Sequence, residues 1–195
     1  MPRSPRQILS VLLVEGPTER LFYERVKHTY LDCPCRIEEM EGLFNINKKI
    51  LHALSTKNRT HQVRAYCCLD SESRYSKTPG LDLKFVRSEL MRAGILNVLS
   101  IEGIIARQMI ESWFFYDIAG IYRYLRVPRS QRRLNAYRPV ERYRVENLKK
   151  LFRRYGKVYT EGERARGLIQ SLDLPCIINQ CAALRRGIER IELRS

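Results

Sequence analysis

Five carboxylates in this chain stand where an acid can do chemistry. Glu15 closes the apolar run Ile8 to Val14 and is followed at once by Gly16-Pro17. Glu19 lies four residues further on. Asp70 ends a second apolar run, and Glu72 follows it in "LDSES". Glu111 sits in "RQMIESWFFYD". In an open parallel sheet, ligands gather at the carboxyl ends of the strands. Asp70 and Glu72 are two apart, so in extended chain they point to the same side. If the strands ending at Glu15 and Asp70 are neighbours, three carboxylates meet at one rim. Such a cluster repels itself and calls for a cation. Hard oxygen ligands select magnesium or manganese. An ion held this way polarises a phosphodiester and steadies its leaving group. A single acid at a strand end has a plainer reading as a turn residue or a helix cap. The conjunction of Glu-Gly after the first strand with Asp-x-Glu after the third is what points to a site.

The elements that must position these acids are legible in the periodicity. Ile8–Val14 is almost wholly apolar, as in a strand covered on both faces. Pro17 suits the first turn of a helix. Phe22, Val26 and Tyr30 recur every fourth residue, as on an amphipathic helix. At its N-terminus the helix dipole is expected to keep Glu15 and Glu19 ionised. A short strand is expected over 36–41, and a helix through Leu43, Ile46, Ile50 and Leu54. A strand follows over 62–69, then a helix through Leu83, Val86 and Leu90 that stops at Gly94. A fourth strand is expected over 95–101. Alternating strands and helices predict a parallel α/β sheet. Beyond it Phe114 to Leu125 reads as a helix, residues 129–139 as a basic loop, and three further helices end with one through Ile177, Cys181, Leu184 and Ile188.

Charge divides the chain. Of the net +15, residues 1–125 carry 18 basic against 14 acidic side chains, and residues 126–195 carry 18 against 7. Fifteen of the latter 18 cations are arginine, which suits bidentate phosphate contacts. The division is read as an α/β catalytic domain over 1–125 and an arginine-rich helical region over 126–195. A field of that sign attracts a polyanion. A solvated surface, or a docking face for an acidic protein, remains the alternative. The six cysteines form no CxxC and only three histidines accompany them, which argues against a zinc site. Reduced thiols and a cytoplasmic location are expected. No apolar run approaches the ~18 residues that a membrane span needs, and the short N-terminal run is read as a strand rather than a leader.

The wording "LLVEGPTE" followed by "LDSES" resembles the Toprim domain over roughly residues 8–117. That fold is shared by topoisomerases, DnaG-type primases, RecR proteins, M5-type maturation ribonucleases and OLD-family nucleases. The likeness is greatest to OLD nucleases and to small stand-alone Toprim proteins of prokaryotic defence systems. Glu72 departs from the family's usual Asp-x-Asp.

The resemblance implies that Glu15 is a metal ligand or general acid/base, and that Asp70 and Glu72 hold Mg2+ or Mn2+. It places Glu19 in a second metal site, though Glu19 also reads as a simple first-turn acid. A further acid is expected after the fourth strand. Glu111, in an E-x-W with a later Asp, fills that place, with Glu102 as rival. Arg74 and Lys77, just past the acidic pair, would face the scissile phosphate or else be solvated. Arg129, Arg132, Arg133 and Arg138 are the expected nucleic-acid contacts. Tyr122, Tyr124, Tyr137 and Tyr143, interleaved with arginines, could stack on bases, although core packing explains Tyr122 better.

The function implied is a metal-dependent nuclease acting on DNA or RNA, as in an antiphage defence effector. OLD-like nucleases work with an ATPase module. This chain shows no Walker-type loop, so that module would be a separate ATPase subunit. Two rivals stand beside this reading: an M5-like RNA-maturation ribonuclease, and a non-catalytic Toprim module that binds nucleic acid or a partner.

Overall fold

The strand Ile8–Val14 (β1) suits an interior place in the sheet because it is apolar on both faces. Val11 and Leu13 pack into one apolar cluster and Leu12 and Val14 into another. The computed structural model describes residues 8–56, 61–71 and 80–193. Around β1 stand three further strands, Cys35–Glu39 (β2), Gln62–Asp70 (β3) and Val98–Ala106 (β4). All pair in parallel, in the order β2-β1-β3-β4. The chain therefore leaves β1 toward one edge and returns to pair on its other side. The carboxyl ends of β1 and β3 flank this reversal, where an open α/β sheet leaves a crevice.

The helices Ile46–Thr56 (α2) and Leu83–Arg92 (α3) cover one face, through Ile46, Ile50, Leu54, Val86 and Leu90. Asp82 caps α3 by accepting from the Phe85 N–H at 2.9 Å. The helix Pro17–Tyr30 (α1) covers the other face with Leu21, Phe22 and Val26. The rest of the chain joins α1 there, as Ile110–Phe114 (α4), Ile118–Tyr124 (α5), Val145–Arg154 (α6), Arg166–Ser171 (α7), Leu174–Gln180 (α8) and Ala182–Leu193 (α9). These helices share one continuous apolar cluster with α1, β1, β3 and β4. No helix among the described residues is long and apolar enough to cross a membrane.

The fourth strand starts and ends later than its sequence implies. Gly94 takes positive φ and ends the α3 turn, and Ile95 N–H still bonds back to Leu90. Residues 95–97 are therefore connection. The strand then runs through Glu102 and Gly103 to Ala106, carried by Ile104 and Ile105. The last expected helix is also two. Asp173 caps α8, accepting from Cys176 N–H at 3.0 Å, and the extended Cys181 separates α8 from α9. Cys67 and Cys68 are packing residues of β3, and the cysteines are unbridged.

α9 presses closely on the edge strand. A Cβ on Gly187 would lie 2.6 Å from Ile104 Cδ1 and 2.8 Å from its Cγ1. Tyr66 Oη on β3 donates to the Arg190 carbonyl at 3.1 Å, and Arg190 pairs with Glu102 at 3.3 Å. Gly187→Ala is expected to lower unfolding free energy by about 1–3 kcal/mol, the usual cost of overpacking. Urea denaturation measures it, and Ile104→Val in the same chain should restore part of the loss.

Candidate metal centre

Three carboxylates converge where β1, β3 and β4 end. Glu19, Asp70 and Glu111 each offer an oxygen, and these oxygens lie within 4.8 Å of one another. Each owes its place to a different element. Glu19 is in the first turn of α1, which opens at Gly16-Pro17 directly beyond β1. Asp70 is the last residue of β3, in register with Ala106 of β4. Glu111 is in the first turn of α4, which follows β4 after three residues. Glu19 and Glu111 are buried. Asp70 keeps a path to solvent through the cleft, although most of its surroundings are protein.

The cleft at this point has a volume of about 440 Å³. Glu15, Glu39, Glu41 and Glu161 add four more carboxylates to its wall, and among the described residues no Lys, Arg or His lines it. Glu39 and Glu41 arrive because the chain after β2 stays bonded to the end of β1. Met40 N–H donates to the Val14 carbonyl at 2.8 Å and Gly42 N–H to the Glu15 carbonyl at 2.9 Å.

Burial of these acids shows in their ionisation. Asp70 is pushed up to about 10, first by burial and then by the charges of Glu19, Glu111 and Glu15. Glu19 is pushed up to about 8, by burial and then Glu111 and Glu15. Glu111 rises to about 7, chiefly by burial. The helix N-termini oppose this. Backbone N–H groups at Gly16 and Glu19 favour ionised Glu19, and that of Ile110 favours ionised Asp70. The expectation that the dipole of α1 keeps Glu19 ionised is thus reversed. The dipole acts with the predicted sign, but desolvation and like charges outweigh it.

A segment from far along the chain closes the wall. Tyr159 is buried and its Oη donates to Glu111 Oε1 at 3.1 Å. Gly162 N–H donates to Thr18 Oγ1 at 2.7 Å. Arg20 binds Glu39 at 3.2 Å and Glu24 at 2.8 Å, and also pairs with Glu163. Lys149 pairs with Glu161 at 2.6 Å. Residues 159–163 are therefore strapped over the start of α1.

Of the acids expected from sequence, Glu19, Asp70 and Glu111 come together. Glu15 faces the same cleft from the end of β1 but stands outside the group of three. Glu72, Arg74 and Lys77 lie outside the described residues. Glu102 is inside β4, paired with Arg190 and away from the cleft. Asp117, the later acid of the E-x-W segment, is structural. It accepts from Gly120 N–H at 2.9 Å and Asp173 N–H at 2.7 Å, tying α5 to α8. Arg129 and Arg133 are exposed. Arg132 donates to the Val127 carbonyl at 2.9 Å, and Arg138 to Gln180 at 2.6 Å. Tyr122 is core. Tyr137 and Tyr143 pack on Phe115, and Tyr124 on Phe152. Sequence reasoning missed Tyr159, Glu161, Glu39 and Glu41. Only Glu39 and Glu41, at the end of an expected strand, carried a signal that could have found them.

Fold and site together define a parallel α/β protein with a carboxylate cluster at the turning point of its sheet. No known family's sequence profile matches the chain, and no curated protein is similar to it. Among solved structures, the C-terminal region of the Xanthomonas campestris pv. campestris OLD protein aligns over 93% of this chain and 93% of that one, with 17% identity and a TM-score of 0.45. Similarity at that level assigns no function.

The raised acids make metal-free stability pH-dependent. Their folded values lie above the ordinary carboxylate range, so the folded state holds protons that the unfolded chain has released. Stability is then greatest below about pH 4 as far as these groups decide it, and falls as pH rises through about 7, 8 and 10. In EDTA the melting temperature is expected to fall between pH 5 and pH 9. Asp70→Asn should flatten that fall and be the more stable chain at pH 9.

Proposed function

We propose that this chain is a metal-dependent nuclease that hydrolyses phosphodiester bonds in DNA or RNA. The observation that carries the reading is the group of three carboxylates within 4.8 Å at the carboxyl rim of a parallel sheet, in a cleft that no cation lines among the described residues. The donor set fits Mg2+ or Mn2+. All the donors are carboxylate oxygens, with no thiolate or imidazole to favour a softer ion. Such an ion, when bound, polarises the phosphodiester and stabilises the leaving oxygen.

Glu19, Asp70 and Glu111 would hold the ion. Tyr159 fixes the Glu111 carboxylate through its hydrogen bond, so that one oxygen faces Tyr159 and the other is left for coordination. Glu15, in the same cleft but outside the three, would accept a proton from an attacking water. The net +15 and the arginine-rich helices supply attraction for a nucleic acid. The roles of Glu15 and Asp70 follow the Toprim resemblance, whereas Glu19 shares the ion of Asp70 here instead of a second site; the motif around Glu15 supports an OLD-like nuclease within that group. In that setting a role in antiphage defence and a separate ATPase subunit would follow.

The test offers purified protein plasmid DNA, single-stranded DNA, transfer RNA and ribosomal-precursor RNA, each with Mg2+, Mn2+ or EDTA. Cutting is expected with either metal, none in EDTA, and none by an Asp70→Asn, Glu111→Gln double variant. Tight binding with no metal-dependent cutting of any substrate would replace the nuclease by a binding module.

A further inference from the structure

A second cleft, of about 320 Å³, opens beside the acidic one and is lined by Arg107, Gln108, Pro139, Glu141 and Arg142. Arg107 is the first residue after β4. Its carbonyl accepts from Ser71 Oγ, and Ser71 N–H donates to the Ala106 carbonyl at 2.9 Å. Arg107 is thereby fixed beside the residue that follows Asp70. Met109, two residues on, lines the acidic cleft. Two residues of chain span at most ~7 Å, so the clefts are neighbours. Arg142 closes a single 3-10 turn, Val140–Arg142, anchored by the buried Val140. Glu141 shares the wall, and Tyr116 Oη donates to it at 3.2 Å.

The two arginines differ from most structural arginines of this chain. Arg20, Arg123 and Arg190 are paired with carboxylates. Neither Arg107 nor Arg142 makes a side-chain hydrogen bond or ion pair among the described residues. Two guanidinium groups that line one cleft, with no side-chain partner among the described residues, repel each other, and the group that suits both is a shared anion. A phosphate accepts bidentate bonds from each. A nucleic-acid strand carries one charge per ~3.4 Å of its axis, so a strand with one phosphate at the acidic cleft brings others within reach of the next.

We infer that Arg107 and Arg142 form a backbone subsite that seats a phosphate flanking the scissile one. The inference rests on the nuclease reading and adds where the strand leaves the centre. Both residues hold the sugar–phosphate chain and read no base. They lie outside the basic loop over 129–139 and act as positioning residues.

The test compares Arg107→Gln/Arg142→Gln with a charge-matched pair, Lys27→Gln/Arg92→Gln. The latter residues sit at the C-terminal ends of α1 and α3, at the opposite rim of the sheet. Two readouts are taken on the nucleic acids above: KM and kcat with Mg2+, and Kd by fluorescence anisotropy in EDTA between 50 and 200 mM KCl. Removing the subsite is expected to raise KM and Kd by about tenfold, as for two lost solvent-exposed ionic contacts. It should leave kcat within about twofold and make the slope of log affinity against log salt shallower by roughly 1.5. The control pair should move Kd much less. A double variant indistinguishable from the control pair in Kd and slope overturns the subsite. If the unmodified chain binds but cuts nothing, the nuclease reading fails while the binding arm still decides the subsite. If it neither cuts nor binds, both fail.

Discussion

Repulsion among three buried carboxylates is the constraint around which this molecule is organised. At 4.8 Å and an effective dielectric constant near 20, each ionised pair costs on the order of 3 kcal/mol. Among the described residues no positive side chain lines the cleft, although Lys149, paired with Glu161 in its wall, favours ionised Glu111. What holds the acids together is the backbone. β1 and β3 pair in parallel along the whole length of β1, from Ile8 to Val14, and β3 pairs with β4 to Asp70. Two helices begin at the rim these strands make, and their first N–H groups face the acids. The partial positive charge at such a terminus is worth about 0.3–1 kcal/mol per anion in most settings. That softens the repulsion without cancelling it. The rest is relieved by protonation, and the raised values of Glu19, Asp70 and Glu111 express this. A divalent ion relieves the same repulsion by replacing the protons.

The C-terminal helices belong to this arrangement as much as the sheet does. Tyr159 reaches the cluster from more than 40 residues beyond Glu111 and donates to it. Its own ionisation is pushed far up by burial and by the Glu111 charge, so it remains a donor across the ordinary pH range. The strap from Tyr159 to Glu163 is fixed to α1 at Thr18 and Arg20. The position of Glu111 therefore depends on packing that joins α1, α4, α6 and α7 in one apolar cluster. A short helix such as α4, five residues long, has little stability of its own. It is held by Trp113, Phe114 and the helices that cover them.

How much of this was legible follows from how far each signal reaches along the chain. β1 and β3 are continuous apolar runs ended by acids, and both were readable to within a residue. So was Asp70 at the end of β3. The Glu-Gly-Pro turn announced the start of α1 and with it Glu19. Glu111 was readable only through resemblance, because its place depends on where β4 stops. Periodicity misplaced β4, since Glu102 and Gly103 interrupt the apolar pattern of an edge strand that faces Arg190. The ionisation of Glu19 was misjudged because a helix terminus is a local feature, whereas its burial and the charge of Glu111 are set by the tertiary fold. Tyr159 and Glu161 left no local trace at all. The break between α8 and α9 hides in a helical period that continues across Cys181.

The contrast between the whole chain and its cleft orders events at long and short range. A net charge of +15 draws a polyanion toward the surface, although salt screens that field beyond ~8 Å under physiological conditions. Close to the cleft the sign reverses, because seven carboxylates line it. A phosphate meets attraction from the arginines outside and repulsion at the centre until the acids are neutralised. Protons can neutralise them but supply no Lewis acid. A divalent ion neutralises them and leaves a positive face toward the cleft. On the proposed function, the basic surface and the acidic centre are therefore one device. The arginines concentrate the nucleic acid without committing it, and only a loaded centre admits the phosphodiester to the rim of the sheet.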